Sequence, residues 1–272
     1  MPVSPVRTRA AFLCRVLLFP PSKINLGLYV TRKRADGYHD LETVFYPVHT
    51  LRDALEAVPG KDSEGSLTIT GLVVEGSHEA NLVWKAYRLI RAEHSQQWQP
   101  LDWYLHKVIP MGAGLGGGSA DGAYALRIMN ALFGLGLPEE KLIEYAARLG
   151  SDCPFFIRDT PQFATGRGEA MQPIALDLSG YDVRVETPGI HVSTATAFGL
   201  LTPRPAPFDL RELAWLPVEE WKDRIGNDFE EPVFARHPEL RALKGKLYAE
   251  GAVYTQMSGS GSAVFGIFPR TA

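Results

Sequence analysis

The chain has 272 residues, 45% apolar and 22% charged, with a net charge of −3 at neutral pH. That length supports one large domain or two lobes with a sizeable core, and the mild negative charge gives no reason to expect nucleic acid or an anionic membrane as a partner. No apolar run approaches the roughly 18 residues a membrane helix needs. Two cysteines, Cys14 and Cys153, are too few for a disulfide framework and suit a reducing cytoplasm.

Residues 1–15 carry basic residues and prolines, and the first acid is Asp36; the stretch reads as a disordered extension. The apolar run over 10–19 is broken by Arg15 and ends at Pro20-Pro21, which makes a poor secretory signal. Alternation over 24–31 predicts a strand opened by Pro21-Ser22-Lys23, followed by a charged turn over 32–39 with Asp36-Gly37 as its signal. Further strands are expected over 41–48, 54–58, 67–69 and 72–74. Asn81 is placed to cap a helix whose Val83, Ala86, Tyr87 and Ile90 share one face.

The most informative stretch comes next. A strand over 101–109 leads into Pro110-Met111-Gly112-Ala113-Gly114-Leu115-Gly116-Gly117-Gly118-Ser119, and a helical pattern runs from 120 to 133. Five glycines within seven positions, ahead of a helix, let the backbone approach a ligand closely. The unpaired N–H groups and the dipole of the first helical turn favour a phosphate chain there. Gly112-x-Gly114-x-x-Gly117 satisfies the dinucleotide pattern, but no acidic residue follows at a strand end about 20 residues on. No lysine precedes Ser119 as a P-loop requires, and neither His-Arg-Asp nor Asp-Phe-Gly of the protein kinases is present.

A helix over 138–149 follows, and then Ser151-Asp152-Cys153-Pro154-Phe155-Phe156. An acid between a helix end and two phenylalanines is either a cap for the next turn or a functional carboxylate. Strands are expected on either side of 165–168 and over 183–186, with a short helix over 194–201. Amphipathic helices follow over 217–225, 229–235 and 238–250. Strands over 253–257 and 263–268 flank Ser258-Gly259-Ser260-Gly261-Ser262.

Pro21-Ser22-Lys23-Ile24-Asn25-Leu26, the glycine-rich run and Met257-Ser258-Gly259-Ser260-Gly261 resemble, in order, the three motifs of the GHMP small-molecule kinases. Asp36-Gly37-Tyr38-His39, Asn81-Leu82 and residues 149–156 look like the branch that acts on a cytidine-diphosphate-linked methylerythritol. The resemblance covers 19–268 and implies an α/β fold of two lobes, residues 1–160 and 161–272, with a cleft between them. It also implies a left-handed βαβ crossover in the first lobe, an exception to the usual handedness; the family's further helix and strand beyond the third motif are expected to be lacking from the second lobe here.

The activity implied is ATP-dependent phosphorylation of the substrate's 2-hydroxyl, in non-mevalonate isoprenoid biosynthesis. Asp152 would take the hydroxyl proton and Lys23 would orient it. Residues 110–119 would cradle the phosphates, with Asn81 and Lys107 on the adenosine side. Asn25 and the Ser258-Gly259-Ser260-Gly261 loop would meet the substrate. Tyr38 and Phe198 would sandwich the cytosine, and His39 would bond its polar edge. Core packing for Tyr38 and Phe198, capping for Asn81 and simple solvation for Lys107 stay open as alternatives. Magnesium is expected with ATP, its protein ligands unknown, and the protein is expected to be a monomer or weak homodimer. The competing readings are a GHMP kinase for mevalonate, homoserine or a sugar, and an inactive nucleotide-binding homologue.

Overall fold

A computed structural model describes residues 15–270 of the protein. The extension expected over 1–15 lies outside the described residues, save for Arg15, whose exposed side chain reaches Glu56. In chain order the first elements are β1 (Val16–Leu18), β2 (Pro21–Lys33), β3 (His39–Arg52), β4 (Ala54–Pro59), β5 (Ser66–Gly71), α1 (Leu82–Glu93) and β6 (Leu101–Lys107). Then come α2 (Gly117–Leu132), α3 (Glu139–Leu149), α4 (Cys153–Arg158), β7 (Gln162–Thr165), β8 (Ala170–Pro173) and β9 (Tyr181–Glu186). The last elements are α5 (Thr194–Gly199), α6 (Glu230–Arg236), α7 (Pro238–Ala249), β10 (Tyr254–Met257) and β11 (Val264–Pro269).

Three sheets organise these elements. The first has the order β1-β4-β6-β5, with β5 and β6 parallel and joined through α1. Val83, Ala86, Tyr87 and Ile90, the face its periodicity predicts, are buried in one cluster with Trp103 of β6 and the inner faces of α2 and α3. Burying a side chain the size of Val83 or Ile90 contributes roughly 1.5–3 kcal/mol. The second sheet, β2-β3-β7-β8, is antiparallel. It extends beyond residue 160, because the β7–β8 hairpin bonds onto β3. The third, β10-β11-β9, is covered on one side by α7.

β2 joins the two lobes. Its residues Pro21 through Val30 are all buried. Ile24 and Leu26 share a cluster with Trp221, Tyr254, Phe265 and Ile267, while Leu28 and Val30 pack with α6 and α7. The mixed α/β, two-lobed architecture is the one the motifs imply.

Two expected elements take other forms. Residues 72–74 make no strand: Gly71 at φ +82° leaves the sheet where an added Cβ would lie 2.2 Å from the Lys107 carbonyl oxygen. The residues beyond it become the rim of a cavity, with Val73 86% exposed. The stretch 217–225 forms a short 3₁₀ turn, Val218–Asp223, instead of an amphipathic α-helix. Its span between Pro217 and Gly226 is short, and a three-residue repeat aligns Val218 and Trp221 on one buried side.

Candidate active site

The glycine loop is held by its carbonyls. The carbonyl oxygen of Ala113 accepts from the Ala263 N–H at 3.1 Å, and that of Leu115 from the Lys23 N–H at 2.9 Å. The Gly114 oxygen accepts from the Ser258 hydroxyl at 2.9 Å. No N–H from Gly112 through Ser119 bonds another part of the protein among the described residues. The loop therefore turns its acceptors toward three anchors and leaves its donors at the N-terminus of α2, where the helix dipole adds positive potential. Glycine is required by contact at Gly114 and Gly116: added Cβ atoms would meet the Ser258 carbonyl at 2.1 Å and the Phe156 ring at 2.9 Å.

Lys23 and Asn25, two apart on β2, point to the same side. The Lys23 ammonium donates to Asn25 Oδ1 at 2.7 Å and lies 3.9 Å from an Asp152 carboxylate oxygen. Asn25 in turn donates to Thr43 Oγ1 at 2.9 Å, and Thr43 donates to the Gly27 carbonyl at 2.6 Å. Burial lowers the Lys23 pKa below the ordinary lysine value, with Asp152 acting in the opposite sense. Asp152 stands at the N-cap position of α4, yet its side chain makes no capping bond. Its carboxylate remains 31% exposed beside a lysine side chain that is 6% exposed. The capping alternative fails, and the acid is left facing the cleft. The neighbouring Cys153 is buried and its thiol is pushed up to about 12 by that burial, so it acts as packing and not as a nucleophile.

On the other side of the loop a cavity of about 390 Å³ is lined by Asn81, Leu82, Lys107, Met111, Gly118 and Asp121, with residues 69–78 as its outer wall. Asn81 caps α1, accepting from the Val83 N–H at 2.9 Å, and it also faces the cavity. Lys107 is no solvated strand lysine. It is 1% exposed and set between Asp53 and Asp121, bonding the latter at 2.7 Å. Its Nζ lies 3.3 Å from where a Cβ on Gly117 would stand, directly beneath the first turn of α2. Burial works against the ammonium, but the two carboxylates outweigh it and raise the Lys107 pKa. Asp121 is pushed up to about 7, chiefly by burial, with Lys107 opposing. Asp53 also accepts from the N–H groups of Val108 and Ile109, at 2.6 and 2.9 Å, which fixes the strand end that feeds the loop.

Tyr38 is 52% exposed, so core packing does not explain it. The Arg167 guanidinium sits 3.8 Å from its ring centre. Phe198 stacks on His39, with centroids 4.9 Å apart and planes 16° apart, and sets its edge against Phe229. Each of the two rings thus has a flat neighbour, Arg167 on Tyr38 and His39 on Phe198.

The Ser/Gly loop is mostly scaffold. Ser258 is fully buried, with its hydroxyl on Gly114, because the loop packs directly on the glycine loop. The loop also borders Asn25, whose Oδ1 lies 3.5 Å from the Ser258 hydroxyl and 3.6 Å from where a Cβ on Gly259 would stand. Asn227 ties down the Met257 and Gly259 carbonyls at 2.8 Å each. Ser260 shares a hydrogen bond with Thr194 at 3.0 Å, and the Gly261 N–H closes the turn onto the Ser258 carbonyl.

Sequence reasoning missed Asp53, Asp121, Thr43 and Arg167. For Asp121 a signal existed: it is the lone charge in the small, apolar start of α2, where exposure would leave the helix nothing to pack. Asp53 and Arg167 sit in ordinary turn sequence, and only folding brings Asp53 against Lys107 and Arg167 against Tyr38. Among the described residues no three histidine, cysteine or acidic side chains are grouped to hold a metal, and no helix is long and apolar enough to cross a membrane.

A cup of free amides across from a carboxylate–ammonium pair, in a two-lobed α/β frame, defines an ATP-dependent small-molecule kinase. The chain belongs to the GHMP kinases. It matches the descriptions "GHMP kinases N terminal domain" over residues 81–160 and "GHMP kinases C terminal" over 210–272. It is 49% identical to a Bacteroides fragilis protein named 4-diphosphocytidyl-2-C-methyl-D-erythritol kinase, over 93% of this chain and 92% of that one. A Nitratidesulfovibrio vulgaris protein of the same name is 39% identical over 91% and 88% of the two chains. A crystal structure of 4-(cytidine 5'-diphospho)-2C-methyl-D-erythritol kinase superposes with a TM-score of 0.79 at 34% identity, covering 93% of this chain and 90% of that one. The mevalonate kinase of Methanococcus jannaschii shares the fold, with a TM-score of 0.68 at 11% identity, over 96% and 92% of the chains.

Proposed function

We propose that the protein transfers the γ-phosphoryl group of ATP to the 2-hydroxyl of 4-diphosphocytidyl-2-C-methyl-D-erythritol, as an isoprenoid-precursor enzyme of the cytoplasm. The observation that carries this reading is the Lys23–Asp152 pair, 3.9 Å apart and joined through the Lys23 backbone to the glycine loop. Phosphoryl transfer asks the protein mainly for positioning and charge stabilisation. The amides of 112–119 suit the triphosphate, and the neighbouring cavity suits the adenosine, with Asn81 and Lys107 on its wall. Magnesium would be carried largely by phosphate oxygens and water, since the donors offered here are amides.

Asp152 accepts the proton of the attacking hydroxyl, and its partial exposure leaves it reachable by substrate. Lys23 holds that carboxylate and offsets charge on the transferring group. Asn25, locked by Thr43, orients the methylerythritol hydroxyls. The cytosine enters between Tyr38 and the His39–Phe198 stack, displacing Arg167 from one ring or His39 from the other. Ser258 serves by clamping the loop and not by touching substrate.

Purified protein with ATP, magnesium and the cytidyl substrate, followed by phosphorus NMR, should yield ADP and one new phosphomonoester signal. Phosphorylation of mevalonate or homoserine instead, with none of the cytidyl compound, would overturn the assignment. ADP release from neither would favour an inactive homologue.

A further inference from the structure

His191 belongs to no motif, yet it stands against the glycine loop from the opposite lobe. An added Cβ on Gly112 would meet its Nδ1 at 3.7 Å and its Cε1 at 3.8 Å. The backbone on either side is pinned to the Ser/Gly loop: Ser262 Oγ donates to the Ile190 carbonyl, and Thr194 shares its bond with Ser260 at 3.0 Å. Val192 between them is buried, so the backbone carrying the ring is held in place, and the ring also borders a cavity shared with Arg236 and His237. His191 itself is exposed, and among the described residues neither ring nitrogen has a hydrogen-bond partner or a carboxylate within ion-pair reach.

A donor-capable imidazole is thus held beside a cup that offers only further donors. That arrangement is electrostatically unfavourable alone and complementary to an anion seated on the Gly112 amide. We infer that His191 is a contact from the second lobe to the phosphate chain of the nucleotide, closing the cup over the triphosphate. The inference rests on the kinase reading above and adds a residue that bridges the two lobes through the ligand. Because the contact is to phosphate alone, it discriminates between nucleotides and their nucleosides.

The test is calorimetric binding of magnesium AMP-PNP and of adenosine to the wild type, His191→Ala and His191→Gln. The alanine variant should bind AMP-PNP roughly tenfold more weakly, bind adenosine unchanged, and be partly rescued by glutamine, which keeps a donor. Equal weakening for both ligands, or none for AMP-PNP, overturns the inference while leaving the kinase assignment intact. A variant whose only defect is a raised KM for the cytidyl substrate also overturns it, by moving His191 to the acceptor. Wild-type protein that binds no AMP-PNP overturns the inference and the kinase reading together.

Discussion

Two lysines flank the glycine loop, and both are buried, Lys23 at 4% exposure and Lys107 at 1%. Burial alone would push both toward the neutral amine. They part in their company. Lys107 has two enclosed carboxylates in direct contact, and its pKa is raised. Lys23 has a neutral amide at 2.7 Å and one half-open carboxylate at 3.9 Å, and its pKa is lowered. The first cation is compensated within the fold and acts as a brace under α2. The second is left under-compensated at the mouth of a cleft, which is the state a site for a transferring phosphoryl group requires.

The largest effect should come from breaking the open pair. Asp152→Asn preserves shape and removes the base, and kcat should fall roughly 10²–10⁴-fold while AMP-PNP affinity stays near wild type. Steady-state kinetics with calorimetry checks this, and near-normal turnover would remove Asp152 from the chemistry. The converse substitution tests the closed cluster. Lys107→Met strands two buried carboxylates and should cost about 3–5 kcal/mol in urea unfolding. Lys23→Met removes a poorly compensated buried cation and should change stability by less than about 1 kcal/mol while abolishing turnover. If the two variants lose stability equally, the distinction between brace and reactive lysine fails.

The closed cluster also carries a pH signature. Two carboxylates and one ammonium leave an excess negative charge, and Asp121, whose Oδ1 lacks any partner, is where the proton resides. Its folded pKa of about 7 lies above the 3.8 of the free side chain. Between those values the unfolded chain loses the proton and the folded one keeps it, so stability contributed below pH 3.8 is lost as pH rises toward 7. Unfolding free energies of wild type against Asp121→Asn should therefore diverge across that window and run parallel above it. A difference that is flat with pH would mean Asp121 is ionised throughout.

The reactive side of this comparison was legible in sequence because its residues come in contiguous motifs. Lys23 and Asn25 share a strand face by simple alternation, and the glycines announce their own loop. The brace was not legible as a unit, since Asp53, Lys107 and Asp121 are far apart in the chain and only Asp121 carries a local signal, as the lone charge in the small, apolar start of α2. The Ser/Gly loop was visible but its role was not. Only packing reveals that Ser258 is directed at the Gly114 carbonyl. The strand expected over 72–74 failed for a similar reason: the departure is forced by the close approach of Gly71 to Lys107, which no local pattern encodes.

The smallest expected effect concerns Phe198. Phe198 stacks on His39 with one face and packs its edge on Phe229, so truncation to alanine would confound stacking with packing. Phe198→Leu keeps the apolar contact and removes the flat surface. A stacked base is worth about 1–3 kcal/mol, and with His39 remaining as a partner the loss should fall near the lower bound. KM for the cytidyl substrate should rise roughly fivefold to tenfold, with kcat and the KM for ATP unchanged. A matching rise in the KM for ATP would mean that Phe198 shapes the whole cleft and that its two ends are not separable. An unchanged KM would assign base recognition to Tyr38 and His39 without it.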